Sequence, residues 1–280
     1  MKIIFISQFW EGFKNSASHR FRCEWIAPYL NADIYDGIQD LNQYDIIIYQ
    51  NTHSPQSQAM AEKYRNKIQI FDISNPIHLL NPQEFKFMAD RCRFLTCSSV
   101  DLYKDLLLTP YRVYHIPDRQ NLDFYKVKKV HEDHYPILVW FGFNQNYENN
   151  IGWMLDYIKE QEFQLLTISD EPLNYGKFIK WELETSNENI VKGDIVLNPP
   201  IKYKSNNKTT TAWALGLPAV ESILDIERFM CYNERVREQD FRLKEVKEKW
   251  EISRSAKKLM GIIKNESGII KFGWHGYPSN

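Results

Sequence analysis

The chain has 280 residues, of which 43% are apolar and 25% charged, and its net charge at pH 7 is −1. Its length suits one large domain or two ordinary ones, and its composition is that of a soluble globular protein. The near-neutral charge argues against a dedicated polyanion binder. No apolar run approaches the ~20 residues that span a bilayer, so no transmembrane segment is expected.

The N-terminal segment and the cysteines bear on location. The opening MKIIFISQFW is too short in its apolar part for a signal peptide and lacks a small-residue cleavage site, so we interpret it as a first strand. The four cysteines form no C-x-x-C pair. Free thiols and a cytoplasmic location are therefore expected.

Strands and helices alternate through the first half of the chain. Buried β-branched runs predict strands, and apolar residues at helical spacing predict helices. The predicted strands are 2–7, 32–37, 44–51, 67–74, 93–99 and 111–118, and the predicted helices are 18–31, 57–66 and 99–108. Strands separated by helices of this length indicate parallel βαβ units in an open doubly wound sheet.

The same pattern restarts after a polar segment, 120–135, which we interpret as a linker. Further strands are predicted at 136–142, 163–170, 177–182, 193–200 and 217–222, with helices at 150–160, 206–215 and within 225–264. The fold class is therefore α/β, with two Rossmann-like domains, 1–130 and 131–280, facing a central cleft. Ligands of such sheets bind at the carboxyl ends of the strands.

The stretch YKSNNKTTTAWALGLPAVES, residues 203–222, places lysines, amides and hydroxyls just before a predicted helix. The first N–H groups of a helix are unpaired and carry partial positive charge, so they attract anions. A simpler explanation is that Ser205, Asn206 or Thr209 is an ordinary N-cap. The sequence alone leaves both explanations open.

Several common catalytic motifs are absent. The chain lacks G-x-G-x-x-G, G-x-x-x-x-G-K-[ST], G-x-S-x-G, H-E-x-x-H and D-x-D. These absences argue against a dinucleotide fingerprint, a P-loop and the usual acidic pair that holds a metal on a nucleotide-sugar. No metal site is expected, and the stretch 203–222 is the best ligand-binding candidate.

In their order along the chain, several segments resemble those of GT-B glycosyltransferases. The segments that carry the resemblance are IIFISQF…SASHRFRCEWIAPYL, IFDISNP, LTCSSVDLYKDL, VYHIPDRQNLDFY, ILVWFGF and DIVLNPP…YKSNNKTTTAWALGLPAVES. The resemblance implies that the domain 1–130 binds the acceptor and the domain 131–280 binds a nucleotide-sugar donor, UDP- or GDP-linked, with no other cofactor.

One departure from the family pattern concerns the mechanism. Many retaining members carry a pair of glutamates where this chain has Tyr203 and Thr211. The resemblance therefore leaves open whether the enzyme retains or inverts the configuration of the sugar.

The resemblance and the helix-start argument together identify donor-binding residues. The two lysines would neutralise the diphosphate, neighbouring hydroxyl and N–H groups would donate hydrogen bonds, a glycine after a strand would allow close approach, and a glutamate would accept from the ribose. The residues are Lys204, Lys208, Ser205, Asn207, Thr209, Thr210, Gly142 and Glu221.

The first domain contributes catalytic and acceptor candidates. Deprotonating an acceptor hydroxyl requires a base, and Asp72, His53 and His19 are the candidates. Two arginines, Arg20 and Arg22, are expected to bind phosphate or an anionic acceptor. The remaining candidate is Trp10, which we expect to stack on a sugar or base ring.

The predicted function is metal-independent transfer of a sugar from a nucleotide-diphosphate donor to a hydroxyl on a glycan, a lipid-linked glycan or a modified base in DNA. Two alternatives remain. A nucleotide-sugar 2-epimerase would turn over its donor without an acceptor, and a degenerate member would bind nucleotide-sugar or glycan without turnover.

Overall fold

The computed structural model describes residues 1–7 and 16–268. The strands in these residues are β1 Ile3–Ser7, β2 Asp33–Ile34, β3 Ile46–Gln50, β4 Ile68–Ile73, β5 Phe94–Cys97, β6 Val113–His115, β7 Leu138–Phe141, β8 Leu165–Ser169, β9 Lys177–Lys180, β10 Ile195–Leu197 and β11 Ala219–Val220. The α-helices are α1 Ala17–His19, α2 Ala27–Leu30, α3 Pro55–Lys63, α4 Ile77–Leu80, α5 Pro82–Ala89, α6 Val100–Leu106, α7 Tyr147–Ile151, α8 Leu155–Glu160, α9 Ser186–Ile190, α10 Asn207–Ala214, α11 Ile223–Phe229, α12 Tyr232–Lys249 and α13 Ser253–Glu266. None of the helices described is both long and apolar enough to cross a membrane.

The chain divides into two compact units. The first contains Met1–Ile116 together with the C-terminal segment from Ser253, and the second is Pro117–Ile252. From the sequence we placed α13 in the second half, but its last residue, Glu266, lies in the first unit. The buried Glu266 carboxylate accepts hydrogen bonds from Arg112, at 2.6 Å, and from the Tyr114 hydroxyl.

The first unit contains a six-stranded sheet in the order β2-β1-β3-β4-β5-β6, and every strand pair is parallel. All five residues of β1 and all five of β3 are buried. Continuous burial of β-branched runs is what a parallel sheet covered on both faces requires. The predicted doubly wound α/β sheet is confirmed.

The second unit contains a five-stranded parallel sheet in the order β11-β10-β7-β8-β9. Its central strand, β7, is entirely buried, and the Trp140 side chain on it packs edge-to-face on Tyr147 with ring centroids 5.2 Å apart. Gly142 follows β7 directly, so it lies at the carboxyl edge of the sheet. The second predicted Rossmann-like sheet is therefore also confirmed.

Several segments differ from the sequence-based expectation, including α9, which was not predicted. The predicted helix 18–31 is interrupted by a π-helical turn, Arg20–Glu24, and ends at Asn31, whose φ is +50°. The helices α4 and α5 were not predicted. Helix α5 begins with Pro82 in its first turn, a position where proline is tolerated. The apolar pattern of this helix is too short to have predicted it from the sequence.

The second unit contains a buried carboxylate, Asp194, immediately before β10. Its oxygens lie 2.8 Å from Lys129 Nζ and 3.0 Å from His134 Nε2, and they accept the Ile137 N–H at 2.9 Å. Burial alone would raise the pKa of Asp194. The contacts with His131, Ile137 and Lys129 outweigh that effect and hold the pKa of Asp194 well below its ordinary range.

We expect Asp194→Asn to flatten the acid side of the stability profile. The pKa of Asp194 is lower in the folded than in the unfolded chain, where it is about 3.9. Its stabilising contribution is therefore complete above about pH 4 and is lost as the pH falls through the folded-state value. The variant should have a lower urea midpoint at neutral pH and a shallower decline toward about pH 3. The exposed Asp240→Asn is the matched control, and a variant curve parallel to the wild-type curve would contradict this account.

Candidate functional site

The stretch 203–222 folds as a loop followed by α10, and α10 begins without a side-chain cap. Asn206, at the N-cap position, makes no side-chain hydrogen bond to the first turn. The first N–H with a backbone acceptor is that of Thr210, 2.9 Å from the Asn206 carbonyl. The N–H groups of residues 207–209 therefore have no acceptor in the described chain, and the ordinary-cap explanation does not apply.

Two of the predicted donor-binding hydroxyls are engaged by the protein itself. Thr209 Oγ1 accepts from Asn198 Nδ2 at 2.7 Å, and the buried Thr210 Oγ1 accepts from Gln120 Nε2 at 2.6 Å. The other polar side chains here have no hydrogen-bond or ion-pair partner within residues 1–7 and 16–268. They are Lys204, Ser205, Asn207 and Lys208.

Lys208 extends from the first turn of α10 toward the end of β7. Its Nζ lies 4.8 Å from the ring centroid of Trp140 and 5.8 Å from that of Phe141. Lys208 is half-buried, and loss of hydration together with the smaller effect of the nearby Lys204 charge lowers its pKa to about 7. Lys204 itself is exposed. Within residues 1–7 and 16–268, no carboxylate is paired with the Lys208 amine.

The absence of a side chain at Gly142 leaves space for the end of the Lys208 side chain. A Cβ at this position would lie 2.7 Å from Lys208 Nζ and 3.1 Å from the Trp140 ring. Any larger residue would have to displace the lysine. The structure thus places Gly142 and Lys208, which are 66 residues apart in sequence, in direct contact.

The sequence did not reveal the residues that hold α10 in place. Gln120, which is fully buried, also donates to the Asn207 carbonyl at 3.2 Å, and its Oε1 accepts from the Tyr125 hydroxyl. The Tyr125 oxygen lies 3.2 Å from Thr211 Oγ1, at one position where many retaining family members keep a glutamate. No short-range pattern predicts these contacts, since the partners are about 90 residues apart.

Glu221, the remaining donor-site candidate, follows β11 and is exposed. It lies at the carboxyl edge of the second-unit sheet, as predicted, but no described contact connects it with Lys208 or Gly142. Its assignment to the ribose remains a prediction.

In the first unit, Asp72 and Arg22 form a buried ion pair. Arg22 Nε donates to Asp72 at 2.8 Å, Arg22 Nη2 donates to the other carboxylate oxygen, and Thr96 also donates to it. Arg22 further donates to the Ile116 carbonyl. Both side chains of the pair are less than a tenth exposed. Both oxygens of the Asp72 carboxylate are hydrogen-bonded by groups of the protein itself, so this environment favours a structural role for both residues.

The other arginine and His19 lie on the same interrupted helix. His19 is buried, with Nδ1 2.7 Å from Ser7 Oγ and Nε2 3.4 Å from Glu24 Oε1, so both ring nitrogens have partners. The hydrogen bond from His19 lowers the pKa of Glu24. The Arg20 guanidinium lies 5.8 Å from the Trp25 ring centroid, a cation–π arrangement.

His53 follows β3 at the carboxyl edge of the first sheet and is half-buried. Its Nε2 lies 3.4 Å from Asn81 Nδ2, and its carbonyl accepts from Gln58 Nε2 at 2.8 Å. Trp10 lies outside the described residues. In the part of the chain that is described, no group of three or more His, Cys, Asp or Glu side chains is arranged to hold a metal ion.

The chain matches no protein-family model and no curated protein in sequence. Solved structures do resemble it. HepE from Anabaena, in complex with UDP and glucose, is similar with a TM-score of 0.72 at 9% identity, covering 94% of this chain and 99% of that chain. An alpha-glucosyltransferase in complex with UDP-glucose and DNA containing an abasic site gives 0.66 at 10% identity, covering 94% and 99%.

A third similar structure is WaaB, a lipopolysaccharide outer core galactosyltransferase, with a TM-score of 0.58 at 11% identity, covering 95% of this chain and all of that chain. Together with the two parallel sheets, these likenesses show that the chain has the GT-B fold of glycosyltransferases. At this level of identity they establish the fold, and the activity has to be argued from the site.

We expect Arg22→Met to destabilise the first unit by about 3–5 kcal/mol, because it leaves the Asp72 carboxylate buried without its cation. The double variant Arg22→Met, Asp72→Leu should recover a large part of that loss, since it removes both charges. Urea unfolding of the variants measures both effects. The exposed pair Arg65–Glu62 supplies the control, because Arg65→Ala should change stability by less than about 0.5 kcal/mol. A cost near zero for Arg22→Met would contradict a structural ion pair.

Proposed function

We propose that the protein is a glycosyltransferase that transfers a hexose from a UDP-sugar to a hydroxyl acceptor. The observation that carries the proposal is the start of α10, where the N–H groups of residues 207–209 are unpaired and Lys208 Nζ lies beside Gly142 with no carboxylate paired to it in the described chain. An anion fits this environment. The GT-B fold favours a nucleotide-sugar as that anion, and UDP is bound in HepE and UDP-glucose in the alpha-glucosyltransferase.

The proposed chemistry follows from where charge develops. When the bond between the anomeric carbon and the diphosphate oxygen breaks, the electron pair remains on the diphosphate. Lys204, Lys208 and the N–H groups of residues 207–209 would then face a larger negative charge than in the ground state. Fixed donors of this kind stabilise the transition state more than the bound substrate, which is what catalysis requires. The proposal assigns this role to protein groups and not to a metal ion.

Acceptor binding and proton abstraction are proposed for the first unit. Of the three base candidates, Asp72 is held by Arg22, and His19 contacts Ser7 and Glu24 through both ring nitrogens. Among them we favour His53, because it lies at the carboxyl edge of the sheet, where ligands of such folds bind. The base is required only if the transfer inverts the configuration.

A thermal-shift panel tests the donor site. UDP, UDP-glucose, GDP and GDP-mannose should be compared on the wild type, Lys208→Ala and the control Lys244→Ala, which changes an exposed lysine on α12. We expect UDP and UDP-glucose to stabilise the wild type and Lys244→Ala, by about 2.7 kcal/mol at a concentration 100 times the Kd. Lys208→Ala should lose this stabilisation. An equal shift in all three proteins would mean that the nucleotide binds elsewhere.

Gly142→Ala tests the contact between strand end and lysine. The added methyl group would meet Lys208 Nζ at 2.7 Å and displace it, so we expect UDP affinity to fall about tenfold, or about 1.4 kcal/mol. The control is Gly261→Ala on α13, where a Cβ meets nothing within 4 Å and alanine favours the helix. Isothermal titration gives both dissociation constants. Unchanged affinity in Gly142→Ala would argue against a diphosphate beside Lys208.

A further inference from the structure

One side of α13 carries a row of exposed cations. Residues three, four and seven apart lie on the same side of a helix, so these cations share one face, which we call the cationic row. The opposite side of α13 is buried against the first unit. None of the four side chains makes a hydrogen bond or an ion pair within residues 1–7 and 16–268. The cationic row consists of Arg254, Lys257, Lys258 and Lys264.

The charges of the neighbouring helix in sequence, α12, are arranged differently. There Arg242 lies 2.7 Å from Glu238, and Lys249 lies 3.4 Å from Glu245. Such pairs between residues four apart are usual on a solvated helix face. In α13 the single acidic residue, Glu266, is buried on the other side of the helix. The cationic row therefore has no acidic neighbour on its own helix face.

The described fold does not explain this accumulation of positive charge. Arg254 lies in the first turn of α13, where the helix dipole disfavours a cation. Near the last turn, the half-exposed Arg93 and Arg112 lie 3.9 Å and 2.6 Å from Glu266, so that two cations share one carboxylate. The whole length of the helix is thus positive, and its repulsion is relieved only by an anionic partner outside the described chain.

We propose that the cationic row of α13 binds the surface of an anionic lipid bilayer. A helix of 14 residues is about 21 Å long, so a row of charges along it suits a flat surface. Each lysine or arginine close to an anionic bilayer strengthens binding about fivefold. Four such residues are enough for reversible attachment of the protein from one side.

Two observations favour lipid over nucleic acid as the anionic partner. Tyr29 on α2, the helix that packs against α13, is about half exposed, and tyrosine is favoured at the level of lipid headgroups. The sequence after Gly268, IIKFGWHGYPSN, combines aliphatic and aromatic residues with a lysine and has no acidic residue. Interfacial bilayer sites use cations and apolar side chains together, whereas non-specific binding to nucleic acid is carried by the cations.

This inference goes beyond the proposed function and does not depend on the donor site. Together with the proposed function, it favours a lipid-linked glycan among the hydroxyl acceptors, because the enzyme would act at a bilayer surface. The attachment is peripheral, through one exposed helix face.

The test is co-sedimentation of the full chain with vesicles of phosphatidylcholine alone and of phosphatidylcholine with about 30% phosphatidylglycerol, at about 0.1 M salt. We expect binding to the anionic vesicles only, and a loss of binding at about 0.5 M salt because the charges are screened. Absence of binding to the anionic vesicles, or equal binding to both kinds, would overturn the proposal.

Variants assign the binding to α13. Lys257→Gln combined with Lys258→Gln should weaken vesicle binding about thirtyfold, since two cations are lost. Lys244→Gln combined with Lys247→Gln removes the same charge from the exposed face of α12 and should bind like the wild type. Replacing Lys257 and Lys258 by arginine keeps the charge and should keep the binding. Unchanged binding in the first double variant would overturn the role of the cationic row.

Two further measurements separate the possible failures. A labelled DNA duplex of about 30 base pairs is titrated in the same buffer, and binding of DNA without binding of anionic vesicles would overturn the lipid assignment. The vesicle assay contains no nucleotide, whereas the UDP thermal shift tests the donor site. Vesicle binding without a UDP shift would support this inference and overturn only the proposed function. A UDP shift in both double variants shows that each is folded, because substitutions at exposed positions change stability little.

Discussion

Every strand pair in both sheets is parallel, and the position of the polar side chains follows from that constraint. Parallel strands require a crossover between neighbours, so each strand enters at one edge of its sheet and leaves at the other. The interiors of β1, β3 and β7 are buried on both faces and are apolar. Ligand-binding groups are therefore expected where such strands end, and Gly142 and His53 both follow strands at the carboxyl edge of their respective sheets.

The charged side chains in the described residues differ in how they are compensated. Arg22 and Asp72 neutralise one another, Asp194 is surrounded by Lys129 and two histidines, and each of these groups is satisfied within its own unit. Lys208 is the contrasting case: it is half-buried, the rings of Trp140 and Phe141 lie beside its amine, and the nearby charge of Lys204 has the same sign. Compensated charges stabilise a fold or are neutral to it, whereas an uncompensated one costs stability until a ligand arrives. Lys208 also differs from the fully buried Arg235, whose guanidinium has no paired carboxylate in the described chain but donates to four backbone carbonyls.

The strands were predicted well from the sequence, because continuous apolar runs rich in β-branched residues, such as 46–50, are typical of strands buried in a parallel sheet. It also located the start of α10, since lysines and small polar residues before an apolar helix form a local pattern. It failed where the deciding partner is remote. The role of Arg22 depends on Asp72, fifty residues away, and the Thr210 hydroxyl is occupied by Gln120, ninety residues away. Neither pairing produces a periodic pattern in the sequence. Helix α5 was missed for a different reason, because its eight residues are too few to show a helical period.

The polar segment 120–135, between the two predicted halves, contacts both ends of α10. Gln120 contacts the first turn of α10, while Lys128 Nζ donates to the Ala214 carbonyl at 2.5 Å and the Lys129 N–H donates to the Leu215 carbonyl at 2.7 Å. The segment thus holds both ends of the helix that carries Lys208, with a cation at the carboxyl end, where the helix dipole favours one. Donors stabilise a developing charge well only if they are fixed before the charge appears. The segment that we interpreted as a linker therefore holds α10 in position, as the proposed anion site at the start of this helix requires.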